Sequence, residues 1–130
     1  MLVALWWPAH AAHGVARRWF RDHGRGGWAT CPMTQSGFVR TISNPSFSRD
    51  AATPEEAVAI LQMNLAGPAH CFWPMDLPLA EALSLSGVKL RGHRQLTDLY
   101  LLGLAAKHGA RLVTLDRALG GLNKDVILLG

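Results

Sequence analysis

The sequence predicts an α/β domain in which helices cover a mostly parallel sheet, and three observations support that reading. Apolar runs of strand length, such as "WATC" and "RLVTL", alternate with longer stretches that carry helical caps and helical periodicity. The runs are mostly apolar and short, the pattern of strands buried on both faces, as parallel strands are. Neither an internal repeat nor a linker interrupts the 130 residues, which is a length suited to one domain with a real core.

The elements follow in order. Residues 2–7 of "MLVALWWPAH" are apolar and stop at Pro8. As a secretory signal this opening fails, because no Lys or Arg precedes the apolar run and the run is brief. "HAAHGVARRWFRDHG" places Val15, Trp19 and Phe20 on one side and its arginines mostly elsewhere, which predicts an amphipathic helix ending near Gly24. "GRGGWATCP" reads as a glycine turn and a buried strand over 28–31, and Pro32 then opens a helix over "PMTQSGFVRTIS". "ATPEEAVAILQMNLAGP" is the clearest helix. Thr53 is its N-cap, Pro54 takes the first position, Glu55 and Glu56 lie in the first turn, and Gly67-Pro68 stops it.

Beyond it, "HCFWP" predicts a strand, "DLPLAEALSLSG" a helix with Asp76 as cap, and "VKLRGHR" a loop or weak strand. "LTDLYLLGLAAKHG" predicts a helix with Thr97 near its cap, Lys107 and His108 in its last turn and Gly109 at its end. "ARLVTLD" and "KDVILLG" are the final two strands.

Composition narrows the function classes. With 49% hydrophobic and 17% charged residues the chain is globular and not disordered. A formal charge of +4 favours acidic partners, of which nucleic acid is the commonest, but the excess is too small to establish binding. Cys31 and Cys71 are too few to staple such a domain and sit beside apolar residues, so they are expected to be buried free thiols. No stretch approaches the ~20 apolar residues of a membrane span, and the expected location is the cytoplasm.

Asp98 and Asp116 carry the most chemical information. Asp98 lies in the first turn of one helix, and Asp116 follows the strand that this helix feeds. The helix advances ~1.5 Å per residue and the strand returns ~3.3 Å per residue, so the two paths nearly cancel and both carboxylates reach the same edge of the sheet. That edge, beyond the carboxyl ends of parallel strands, is where open α/β folds bind ligands. Two carboxylates there repel unless a cation joins them, and hard oxygen donors suit Mg²⁺ or Mn²⁺. The alternative is structural: an Asp in a first helical turn complements the helix dipole, and one after a strand often caps a turn.

Other residues carry less. His10 and His13 have i, i+3 spacing but no second pair to complete a zinc site, and read as solvated helix histidines. Arg17, Arg18 and Arg21 read as the wet face of their helix. Arg40, Arg94 and Arg117 are better placed to contact substrate, since each lies near an element that reaches the acidic edge. The five tryptophans fall mostly at apolar-periodic positions and do not form a base-stacking platform as a group, although the N-terminal ones could line an interface.

"GHRQLTDLYLLGLAAKHGARLVTLDRAL" closely resembles the C-terminal half of PIN-domain ribonucleases of the VapC toxin type, in which a Thr-Asp begins a helix and a Leu-x-Thr-x-Asp ends the next strand. "GWATCPMTQSGFVRTISNP", with Gly37, Phe38 and Arg40, is similar to that family's second strand and third helix, and "LVALWWPAHAAH" resembles the segment after its first strand. The resemblance implies a three-layer α/β/α PIN-like domain around a mostly parallel sheet. It further implies an acidic cluster that binds Mg²⁺ or Mn²⁺ and hydrolyses RNA, a homodimer, and a cognate VapB-like antitoxin that covers the active edge. Asp98 and Asp116 match two of the family's metal-binding acids, and Thr114 matches its hydroxyl residue beside the last Asp.

Two departures accompany the match. The family's first acid, in an Asp-x-Asn at the end of the first strand, would fall upstream of Met1, so the expectation is a PIN domain short of its N-terminal strand, with the opening stretch as its first helix. The family's helical Glu aligns with Gln35, whose carbonyl can accept a water or weakly coordinate a metal but carries no charge. Both departures favour a rival reading, a catalytically degenerate PIN domain that binds antitoxin or RNA. A flavodoxin-like receiver is a more remote rival, because no Asp pair follows a first strand.

Overall fold

The computed structural model describes all 130 residues, Met1–Gly130. They fall into two compact units, Met1–Pro74 and Met75–Gly130.

The first unit runs α1 (Leu2–Trp6), α2 (His13–His23), β1 (Trp28–Thr30), α3 (Pro32–Ile42), α4 (Pro54–Leu65) and β2 (His70–Phe72). The apolar opening is therefore a helix. A helix as short as α1 cannot hold itself in water, and tertiary contacts supply the rest. Trp6 meets Phe38 and Trp28 edge-on at ring separations of 5.2 and 5.9 Å. Trp7 packs on Phe47 at 5.8 Å, and His13 Nδ1 donates to the Ala4 carbonyl at 2.8 Å. These aromatic faces account for the tryptophans as packing residues.

The α3 and α4 helices build the core of this unit from Phe38, Ile42, Ala57 and Leu61. The start of α4 is as its sequence predicts: Thr53 Oγ1 accepts from the Glu56 N–H at 3.2 Å, and Glu56 Oε2 accepts from the Thr53 N–H at 2.9 Å. At the start of α3, Cys31 is the N-cap, Pro32 takes the first position, and Thr34 Oγ1 accepts from the Cys31 N–H at 3.0 Å. This stop directly after β1 places Gln35 one helical turn beyond the strand.

The second unit runs α5 (Leu79–Leu85), a 3-10 turn at His93–Gln95, α6 (Leu96–Lys107), β3 (Leu112–Thr114) and β4 (Val126–Leu128). Leu99, Leu102 and Leu104 of α6 are fully buried. α5 crosses α6 so closely that a side chain at Gly103 would collide with the Ala82 backbone carbonyl. Gly109, at φ 64°, makes the left-handed turn between α6 and β3.

The α/β class and the parallel pairing hold, with one strand pair in each unit. β1 pairs only with β2, in the register Trp28↔His70, Ala29↔Cys71, Thr30↔Phe72. β3 pairs only with β4, in the register Leu112↔Val126, Val113↔Ile127, Thr114↔Leu128. In a parallel ladder alternate residues point their N–H and C=O to opposite sides. Trp28 and Thr30 bond toward β2, and Leu112 and Thr114 toward β4.

Local expectations also change. Asp76 does not cap α5, whose N-cap is Pro78; it pairs instead with Lys107 at 2.9 Å, and that hydrogen bond holds its carboxyl below the usual range. Thr97 lies inside the first turn of α6, because the preceding 3-10 turn moves the N-cap to Gln95. Cys31 is buried but Cys71, on β2, is exposed. His10 lies ahead of α2 in a turn, where its Nδ1 accepts from the Ala12 N–H at 3.0 Å, so it shares no helical face with the half-buried His13. No helix is long and apolar enough to cross a membrane.

Candidate active site

In the second unit, α6 and β3 bring Asp98 and Asp116 together. Asp98 occupies the third position of α6, where the free N–H groups of the first turn favour negative charge. Burial outweighs that help, and the charge of Asp116 adds to it, so the Asp98 carboxyl is pushed above the ordinary carboxylate range. The start of α6 and the end of β3 thus lie within electrostatic reach of each other.

Asp116 is exposed and locally pinned. Its N–H donates to Thr114 Oγ1 at 3.0 Å, and its Oδ1 accepts from the Ala118 N–H at 2.8 Å. Both are turn bonds between a short polar side chain and nearby backbone. They fix the carboxylate's direction and occupy one oxygen, which leaves Oδ2 for another partner. Thr114, half-buried, thus holds the backbone that carries Asp116.

Arg117 is exposed beside Asp116, and Arg94 is exposed in the 3-10 turn that leads into α6. Gln35 and Arg40 belong to the first unit. Arg40 is exposed in the last turn of α3, about 12 Å along the helix axis from its start.

Gln35 is half-buried and enters a network with two residues that the sequence does not single out. Its Nε2 donates to Thr30 Oγ1 at 2.9 Å, and that oxygen lies 2.8 Å from His70 Nε2. Thr30 is 2% exposed. His70 packs on the Trp28 ring at 4.7 Å, and burial pushes its pKa down, favouring the neutral imidazole. No local motif marks Thr30 or His70. The signal that could have found them is the pairing of β1 with β2, which sequence patterning does not supply.

Nowhere do three or more His, Cys, Asp or Glu side chains converge as metal ligands. The donor set at the α6–β3 edge is two carboxylates. That set fits Mg²⁺ or Mn²⁺, since such ions are commonly held by one or two carboxylates, with waters and substrate phosphates completing the shell.

No family model matches the chain. It is similar to Ribonuclease VapC39 of Mycobacterium tuberculosis (strain CDC 1551 / Oshkosh), with 43% identity over 119 residues that span 92% of this chain and 86% of that protein. Ribonuclease VapC38 of Mycobacterium tuberculosis (strain ATCC 25618 / H37Rv) is 41% identical over 116 residues, or 88% of this chain and 79% of that protein. Ribonuclease VapC29 of the same strain is 39% identical over 132 residues, or 99% and 90%.

Proposed function

Because the chain belongs to the VapC-type PIN-domain ribonuclease family, we propose that it is an endoribonuclease toxin whose Asp98 and Asp116 hold Mg²⁺ or Mn²⁺ for RNA phosphodiester hydrolysis. The observation that carries this reading is the pair itself: two carboxylates at one edge, with Asp98 in the field of Asp116. A divalent ion at such a site neutralises charge on the scissile phosphate and acidifies the attacking water.

The residues divide the remaining work. Thr114 and the Ala118 N–H keep Asp116 aimed, with Oδ2 open. Gln35 offers a neutral acceptor oxygen to a water or a nucleotide hydroxyl. Arg94 and Arg117, both exposed, attract the RNA backbone, and Arg40 does so from the end of α3. A VapB-like antitoxin neutralises the toxin, which acts as a homodimer in the cytoplasm.

A second reading has its own support. The neutral amide at Gln35 and the lack of a third converging ligand favour a non-cleaving PIN domain that binds antitoxin or RNA. Cleavage of structured RNA with Mn²⁺ or Mg²⁺, comparing the chain with Asp98→Ala and Asp116→Ala, separates the two. The proposal expects both substitutions to abolish cleavage. If the unsubstituted chain cuts no faster than they do, the binding reading stands.

A further inference from the structure

The network around Gln35 has a direction, and the direction follows from counting protons. Thr30 Oγ1 carries one proton and two lone pairs, and it is buried. Gln35 Nε2 is only a donor, so it uses one lone pair and cannot receive the threonine proton. The remaining acceptor in reach is His70 Nε2 at 2.8 Å. A buried hydroxyl proton without an acceptor costs about 1–3 kcal/mol, so Thr30 donates to His70, whose own proton then lies on Nδ1. Two bonds in series thus run from Gln35 through Thr30 to His70. The opposite order, with His70 donating to Thr30 and Thr30 to the Gln35 oxygen, would turn the amide NH₂ outward instead.

We propose that Thr30 and His70 are positioning residues that hold the Gln35 carboxamide with Oε1 turned away from β1 and free to accept a hydrogen bond or coordinate a cation. The inference rests on the proposed nuclease reading, in which Gln35 aligns with the family's helical Glu, and it deepens that reading. It also explains how a neutral amide can serve there. A carboxylate offers an oxygen in either orientation, whereas a glutamine offers one only if its NH₂ is held elsewhere. Oε1 accepts no hydrogen bond from the protein, although it is not sealed from solvent.

Two measurements on the full chain test this. Long-range ¹H–¹⁵N NMR of the imidazoles should show His70 as the Nδ1–H tautomer, and one Gln35 side-chain NH₂ proton should exchange slowly, becoming fast in Thr30→Val. A His70 Nε2–H tautomer, or Gln35 exchange unchanged by Thr30→Val, overturns the proposal without reference to activity. In RNA cleavage, Thr30→Val should lower kcat about 10- to 100-fold, as loss of an orienting partner does, with KM unchanged. Thr30→Ser should restore the rate, and Thr30→Val with Gln35→Ala should be no worse than Gln35→Ala alone. Losses that multiply in the double variant, or no rescue by serine in a folded protein, would sink it. Should Asp98→Ala and Asp116→Ala leave cleavage unchanged, the nuclease reading itself falls, and the two NMR measurements still decide how Gln35 is held.

Discussion

Asp116 makes Asp98 harder to ionise, although a whole helix and a strand separate them along the chain. The interaction is unfavourable in the metal-free protein and becomes useful only when positive charge arrives. A first prediction follows for titration. In ¹³C-detected NMR of the metal-free chain, Asp98 titrates above an ordinary aspartate, and Asp116→Asn moves it down without removing the whole shift, because burial is the larger cause.

The same shift sets a pH dependence of stability. Folding favours protonated Asp98, so its contribution is present below the ordinary aspartate pKa of 3.8 and is lost as pH rises through the higher folded value. The difference in Tm between Asp98→Asn and the unsubstituted chain, without divalent ions, should therefore shift in favour of the asparagine variant as pH rises from the ordinary aspartate value of 3.8 through the higher folded one. A difference that moves the other way would show that the ionised form is stabilised at this edge.

Divalent ions should reverse that penalty. A ligand that binds only the folded state at 100 times its Kd adds about 2.7 kcal/mol. Mn²⁺ should thus raise the Tm of the unsubstituted chain by several degrees at pH 7, while Asp98→Asn and Asp116→Asn lose most of the rise.

Gly103→Ala should be among the most damaging single-methyl changes in the chain. The new carbon would fall on the Ala82 carbonyl, a backbone atom that cannot rotate aside. Overpacking of this kind costs about 1–3 kcal/mol or more. Thermal unfolding should show a clear drop in Tm, and α5, held against α6 at this crossing, should lose amide protection first.

Thr53→Ala offers a local counterpart. It removes one half of the α4 capping box, at a cost of about 1 kcal/mol. Tm should fall by a few degrees while RNA cleavage by the folded protein stays unchanged, since Thr53 is none of the proposed catalytic or RNA-binding residues.

Caps and helix stops could be read directly wherever the partners are neighbours in sequence. Thr53 finds Glu56, and Gly109 ends its helix, because both depend on the few residues around them. The convergence of Asp98 and Asp116 was legible for a related reason: one helix and one strand of nearly cancelling length leave little freedom in where they end. Asp76 defied the same logic. Its side chain had a partner much farther along the chain, Lys107, and an ion pair over that separation leaves no periodic trace.

What the chain's own order of residues decided, then, was the class of fold, the place of its helices, and the edge on which two carboxylates meet. Pairing was left to the tertiary structure: which strands join, and which histidine lies beside Thr30. Secondary structure arises from interactions within a few residues, whereas a strand's partner is chosen by backbone hydrogen bonds across distant segments. The register Trp28↔His70 is such a choice. It brings His70 beside the strand whose last residue, Thr30, holds the Gln35 amide.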